Sequence, residues 1–249
     1  MSVEVFIMRK GFVFILLVLG LVFIGCKVYE KMIFSKYIPV LAYHDVINHP
    51  TEETDVSIES FEKQIQYLKK HHYETLSMDE FYEWKKGRKI NGKKVVLTFD
   101  DGKESFYKVV VPVLEKYNFK GTIFIIESAI GEDGYLTKEQ VMDLKENHPN
   151  ITLASHSYNL HVETAAKSND YSIYHEDMQK NKENGYVYYA YPFGIENASY
   201  EEALKENGYK LAFLFSPSHW ASIEDHDFRI PRVPIYKSNS LFKFKWKLF

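Results

Sequence analysis

Lys94-Val95-Val96-Leu97-Thr98-Phe99-Asp100-Asp101-Gly102 is a short apolar run, rich in β-branched residues, that ends abruptly in two carboxylates and a glycine. Such a run reads as a strand buried on both faces of a parallel sheet. Two acids at the exit of a buried strand are costly unless a cation or a reaction uses them. Successive strand residues point to opposite sides, so Asp100 and Asp101 are expected to have different tasks. Asp-Gly is also ordinary turn chemistry, and a strand end opening into a solvated turn remains the alternative.

A second strand exit carries histidines. The apolar run 151–154 is followed by Ser155-His156-Ser157-Tyr158-Asn159-Leu160-His161. Neutral imidazoles with a carboxylate form the ligand set of a catalytic zinc with an open position. On a helix the five-residue spacing would separate the two rings by about 140°, so a loop has to bring them together. Two unrelated surface histidines are the competing reading.

The remaining chain alternates strands and helices. A strand at 39–43 ends in His44-Asp45. A helix over 57–70 carries Phe61, Ile65 and Leu68 on one face, and Ser77-Met78-Asp79-Glu80 is a capping box for the next helix. After the strand at 95–99 the pattern predicts a helix over 104–117, a strand at 122–126 and a capped helix from Thr137. A strand at 151–154, a polar helix within 169–184 and a strand at 187–191 follow. A helix capped at Ser199 and strands near 210–215 and 230–236 complete the series. Sustained alternation implies an α/β fold with a largely parallel sheet. Seven or eight strands close naturally into a distorted, TIM-like (β/α) barrel, whose chemistry sits at the C-terminal ends of the strands. His44-Asp45, Asp100-Asp101, His156 with His161, and Tyr191-Pro192-Phe193-Gly194 all fall at such ends.

The chain has 249 residues and a formal charge of −3, which gives no argument for nucleic acid. Its single cysteine, Cys26, excludes an internal disulfide. Arg9 and Lys10 precede an uncharged run at 11–26, short for a spanning helix and close to a signal-peptide core. Val22-Phe23-Ile24-Gly25-Cys26 resembles a bacterial lipobox, in which Cys26 is lipidated. The rival is an uncleaved signal anchor whose helix extends to about Met32 or Phe34. Residues 1–35 are therefore expected to be a targeting or anchoring segment and tether. Residues 36–249 would form one extracytoplasmic catalytic domain, monomeric and held at the membrane.

Taken together, these motifs resemble the NodB-homology polysaccharide deacetylases, carbohydrate esterase family 4, over roughly residues 38–236. Within them the chain is most similar to the biofilm-type poly-N-acetylglucosamine deacetylases, which share the five-position histidine spacing. The resemblance implies a metal-dependent hydrolase that removes N-acetyl groups from an acetylated polysaccharide and releases acetate. It implies Asp100 as base, and Asp101, His156 and His161 as ligands of a divalent metal, zinc. The Phe193 N–H would help bind the oxyanion. Two positions depart from the usual family pattern. Ala190 stands where an arginine normally orients the base, and Arg232 in Ile230-Pro231-Arg232 resembles the biofilm-type substitute. The usual late histidine motif is missing, and Leu41-Ala42-Tyr43-His44-Asp45 matches the biofilm-type acid. His44 is therefore implied as the acid, rather than His219 or His226, with Asp45 orienting it. Loops 44–58, 129–137, 157–170 and 216–228 would shape the groove.

Other readings compete. Peptidoglycan or another wall glycan could be the substrate. A glycoside hydrolase using Asp100 with another acid leaves the histidines unexplained. A tethered glycan-binding protein with a degenerate site leaves the complete Asp-His-His set unexplained. A non-haem iron site takes the same ligands but sits poorly with βα alternation.

Overall fold

The computed structural model describes residues 3–215 and 219–248, so part of the expected groove loop 216–228 lies outside the described residues. Helix α1 (Val3–Lys36) leads into β1 (Tyr37–Ile38) and β2 (Val40–Tyr43), followed by the short β3 (Val46–Ile47) and β4 (Val56–Ser57). Then come α2 (Ile58–Lys70), β5 (Glu74–Thr75), α3 (Met78–Lys85), β6 (Lys94–Phe99) and α4 (Val111–Lys116). The chain continues through β7 (Gly121–Ile125), α5 (Lys138–Asn147), β8 (Ile151–Ser155), α6 (Glu163–Ala166), α7 (Tyr171–Lys180) and β9 (Tyr188–Ala190). It ends with α8 (Ala198–Glu206), β10 (Leu211–Phe213), β11 (Ala221–Ser222), β12 (Val233–Pro234) and α9 (Leu241–Trp246).

Seven strands form one curled sheet in the order β10-β9-β8-β7-β6-β2-β12, and β5 pairs with the start of β6. Every pair within it is parallel. Ile230 bridges in parallel to Phe213, while Val233 and Pro234 pair with Leu41 and Ala42. The segment 230–234 thus joins the two edges, and the sheet is a parallel barrel of the expected kind.

Alternation along β6 sets the layers. Val95, Leu97 and Phe99 pack outward with Phe61, Ile65 and Leu68 of α2 and with Leu114 of α4. Val96 faces inward with Val40, Phe124, Ala154, Ala190 and Phe213. By the same alternation Thr98 and Asp100 point into the barrel and Asp101 does not.

The caps of α3 and α5 form at Ser77 and Thr137 as expected, each a complete capping box. Two other boundaries differ. The helix expected over 104–117 is a π-type turn at Phe106–Val110 followed by α4. Pro112 has no N–H to offer the Lys108 carbonyl, so the preceding turn widens and the Val111 N–H reaches back to the Phe106 carbonyl. The α8 cap is Asn197, whose side chain accepts from the Tyr200 N–H at 2.9 Å, and not Ser199, which binds the Asn169 carbonyl. Among the described residues, no helix is long and apolar enough to cross a membrane.

Candidate active site

The C-terminal ends of β2, β6, β8 and β9 bring the expected residues together. Asp100 follows β6, and its N–H bonds the Tyr43 carbonyl at 2.9 Å. Its carboxylate is buried and receives both arms of the Arg232 guanidinium, Nη1 to Oδ1 and Nη2 to Oδ2, each at 2.7 Å. Arg232 is itself fully buried, with its guanidinium 5.3 Å from the Phe124 ring centre. Its Nε donates to the Leu214 carbonyl at 3.0 Å and Nη1 to the Thr98 hydroxyl at 3.2 Å. Thr98 in turn donates to the Leu41 carbonyl at 2.8 Å. The arginine is therefore held at several points and presents the carboxylate as a fixed plane. Burial pushes the Asp100 carboxyl up. The charge of Arg232, with smaller contributions from His156 and His44, outweighs burial and holds it well below the usual carboxylate range.

Asp101 takes the left-handed conformation, φ 74°, and Gly102 follows at φ 77°. This turn carries Asp101 away from the barrel interior to face the two histidines. Ser157 is also left-handed, φ 77°, and starts the loop that brings His161 back beside His156. Ligand atoms of Asp101, His156 and His161 all lie within 4.8 Å of one another. Asp101 Oδ1 is 3.5 Å from His156 Nε2 and 3.4 Å from His161 Nε2, yet it is buried and has no hydrogen-bond partner among the described residues. A buried, unsatisfied carboxylate oxygen facing two imidazole nitrogens is an open polar debt. Metal–ligand bonds of about 2.0–2.1 Å in a tetrahedron place neighbouring ligands about 3.3–3.4 Å apart, within about 0.2 Å of both separations. The three residues thus form a possible metal site.

The His156 ring is fixed for that task. Its Nδ1 donates to the Ala190 carbonyl at 2.7 Å, which leaves the Nε2 lone pair facing Asp101. Burial also lowers its pKa against the pull of Asp100 and Asp101, favouring the neutral ring. At Ala190, the usual arginine position, it is the main-chain carbonyl that serves the site.

Phe193 lies in a left-handed turn, φ 57°, with its half-exposed ring 4.5 Å from the His161 ring. Gly194 follows at φ 69°, and a Cβ there would lie 2.8 Å from the Phe215 nitrogen, so the backbone passes where only glycine fits. His44 Nε2 is 3.9 Å from Asp100 Oδ2, with its ring edge-on to Phe215 at 5.2 Å. Asp45 does not orient it. The Asp45 carboxylate accepts from the Ser105 hydroxyl, and His44 Nδ1 has no partner among the described residues. His226 lies 3.5 Å from Glu201, and His219 lines a cleft beside α1.

Asp177 was missed by sequence reasoning. It is buried on α7 and accepts the Tyr158 N–H at 2.8 Å and the Asn159 N–H at 2.7 Å, clamping the loop between the two histidines. Nothing separates it in sequence from the other acids of that polar helix.

Residues 87–212, just over half of the chain, match the family model "Polysaccharide deacetylase". Among curated proteins, the poly-beta-1,6-N-acetyl-D-glucosamine N-deacetylase of Staphylococcus epidermidis is 28% identical over 205 residues, which cover 76% of this chain and 70% of that one. The Staphylococcus aureus enzyme of the same name is 28% identical over 196 residues, covering 72% and 67%. Among solved structures, the Streptococcus pyogenes deacetylase PplD in complex with acetate superposes with TM-score 0.78 at 24% identity, covering 86% of this chain and 98% of that one. IcaB from Ammonifex degensii gives TM-score 0.74 at 23% identity, with coverage of 86% and 98%. Both share the fold. With the family's stretch running from ahead of β6 into β10, across both carboxylates and both histidines, the chain belongs to the polysaccharide deacetylase family.

Proposed function

We propose that this enzyme removes N-acetyl groups from extracytoplasmic poly-β-1,6-N-acetylglucosamine and releases acetate. The observation that carries this reading is the juxtaposition of the Arg232-held Asp100 with the Asp101-His156-His161 cluster at one rim. The polymer is taken from the names of the two staphylococcal relatives. Asp101, His156 and His161 would hold the metal, and their two-nitrogen, one-oxygen donor set favours zinc. A bound zinc would supply Lewis acidity and an acidified water.

The chain's own groups do the rest. Asp100 accepts the proton of the attacking water, and Arg232 holds its carboxylate in place without accepting that proton. The Phe193 N–H, at a turn locked by Gly194, stabilises the developing oxyanion. His44, whose Nε2 lies 3.9 Å from the Asp100 carboxylate, protonates the leaving amine. The products are acetate and a glucosamine unit that carries positive charge.

Residues 1–35 serve as the membrane segment and tether, and 36–249 as the catalytic domain. Phe12 and the apolar side chains of α1 from Ile15 to Ile24 stand exposed around the helix, as suits lipid rather than water. The uncharged run 11–26 rises about 24 Å at 1.5 Å per residue, less than the ~30 Å hydrocarbon core. The tether is thus a lipid on Cys26 or a short anchor helped by its flanking lysines.

The test is acetate release by the purified full chain from poly-β-1,6-N-acetylglucosamine and from peptidoglycan, with zinc, with chelator, and as Asp100→Asn. Zinc-dependent acetate from the first polymer, lost in the variant, is the expected result. Acetate from peptidoglycan alone would replace the substrate. No acetate and no bound metal would overturn the catalytic reading.

A further inference from the structure

The opposite end of the barrel carries a surface that catalysis does not use. Helix α9 and the residues after it read Leu241-Phe242-Lys243-Phe244-Lys245-Trp246-Lys247-Leu248. Phe244 and Leu248 are buried against the domain, and Phe244 meets the Tyr67 ring edge-on at 6.3 Å. Phe242 and Trp246, one turn apart, are 68% and 66% exposed. Their rings meet edge-on at 6.0 Å on the outward face. A paired Phe and Trp flanked by lysines is the composition of a helix that lies at a lipid–water boundary.

Position supports this. A cleft of ≈ 870 Å³ has Cys26, Tyr29 and Ile33 of α1 on one wall and Trp246 and Lys247 on the other. Tyr73 and Lys93, which also line it, immediately precede β5 and β6. The cleft therefore lies under the N-terminal rim of the barrel, and the Asp-His-His cluster lies at the other rim. A lipid tether puts the bilayer surface at Cys26, and an anchor ending near Met32 or Phe34 puts it within the stretch of α1 that lines this cleft with Trp246. The charge there is positive. Lys27 and Lys93 share Glu30, at 2.9 and 3.0 Å. Burial together with Lys93, Lys70 and Lys245 lowers the pKa of His71. Lys243 adds a further exposed cation beside Phe242.

We propose that α9 is a second membrane contact. In it Phe242 and Trp246 enter the headgroup–acyl boundary of an anionic bilayer, and Lys243 and Lys245 face the lipid phosphates. The contact rests on the tether reading and adds an orientation to it. The barrel stands with its N-terminal rim on the membrane and its catalytic rim facing outward. Six residues of β6 at about 3.3 Å each hold that rim about 20 Å further out, where a long polymer can pass without touching lipid.

The full chain reconstituted into vesicles tests this. Flotation with the vesicles reads the tether. The difference in emission between the wild-type protein and Trp246→Phe isolates Trp246, read against lipids brominated just below the headgroup. Quenching of Trp246 in phosphatidylglycerol vesicles, weaker in phosphatidylcholine, is expected. One lysine near an anionic surface contributes about fivefold in partitioning, so Lys243→Gln/Lys245→Gln should lower the docking equilibrium about 25-fold. Acetate release from soluble oligomers should not change in that variant. A chain that floats while Trp246 stays unquenched by lipid and open to aqueous iodide would overturn the contact and leave the tether standing. A chain that does not float overturns both.

Discussion

Replacing Arg232 by Met leaves the Asp100 carboxylate buried without its fork of donors. Breaking a buried ion pair from one side costs about 3–5 kcal/mol, because the remaining charge is uncompensated. Asp100→Asn/Arg232→Met removes both charges and should recover all but about 1–2 kcal/mol, the loss left by the vacated Leu214 carbonyl and Thr98 hydroxyl. Urea unfolding of the wild type, both single variants and the double variant, in chelator, measures the coupling. The pH dependence has a definite sign. In the wild type, Asp100 is depressed below its unfolded value of about 3.9. Its stabilisation is therefore present above that pH and fades as pH falls toward the folded pKa. In Arg232→Met, burial loses its main opponent and raises the carboxyl against the smaller pull of His156 and His44. That variant loses stability as pH rises through 4 toward the raised value. The gap between the two proteins should thus be widest near neutrality and narrow below pH 4. Arg232→Met within about 1 kcal/mol of wild type at pH 7, with its acetate release intact, would refute the assignment of Arg232 as the residue that holds the base.

Other outcomes follow from the same geometry. Asp177→Asn keeps one acceptor for two backbone N–H groups, so affinity for the proposed metal should fall about 10–100-fold through the loosened His161 loop; an unchanged competitive-chelator titration would show that the clamp is dispensable. His44→Gln should cut kcat about 10²–10⁴-fold while the content of the proposed metal is unchanged, and a fall in metal content instead would move His44 into the metal site. Gly194→Ala forces a Cβ to 2.8 Å from the Phe215 nitrogen at φ 69° and should cost about 1–3 kcal/mol in thermal unfolding, with kcat reduced more than KM is raised.

Most of the barrel could be read from local pattern. Runs such as 95–99 are buried on both faces, so nearly every position is apolar, Thr98 excepted, and the strand announces itself. Capping boxes at Ser77 and Thr137 are equally local. Features set by distant contacts were not legible. The widened turn before Pro112 depends on how that proline is accommodated, and the α8 cap depends on Asn197 reaching its turn before Ser199 could. Helix α9 carries no period long enough to register as a helix. At the site, the resemblance supplied His44 and Arg232, and the structure sets both beside Asp100. Asp45 pointed the wrong way because the Ser105 hydroxyl, far along the chain, competes for it. Asp177 was invisible, since its value lies entirely in the two N–H groups that fold back onto it.

The hydrogen bond from Arg232 to Asp100 spans 132 residues of chain, and Arg232 belongs to the segment that joins the two edges of the sheet. The proposed base therefore gains its partner only when the last strand arrives. Pairings of such separation form late, because loop closure precedes their reward. Activity would then report completed folding: a chain clipped before residue 230 carries the Asp101-His156-His161 cluster but an Asp100 without its arginine partner. The site is thereby expected to be completed only once the C-terminal segment has closed the ring.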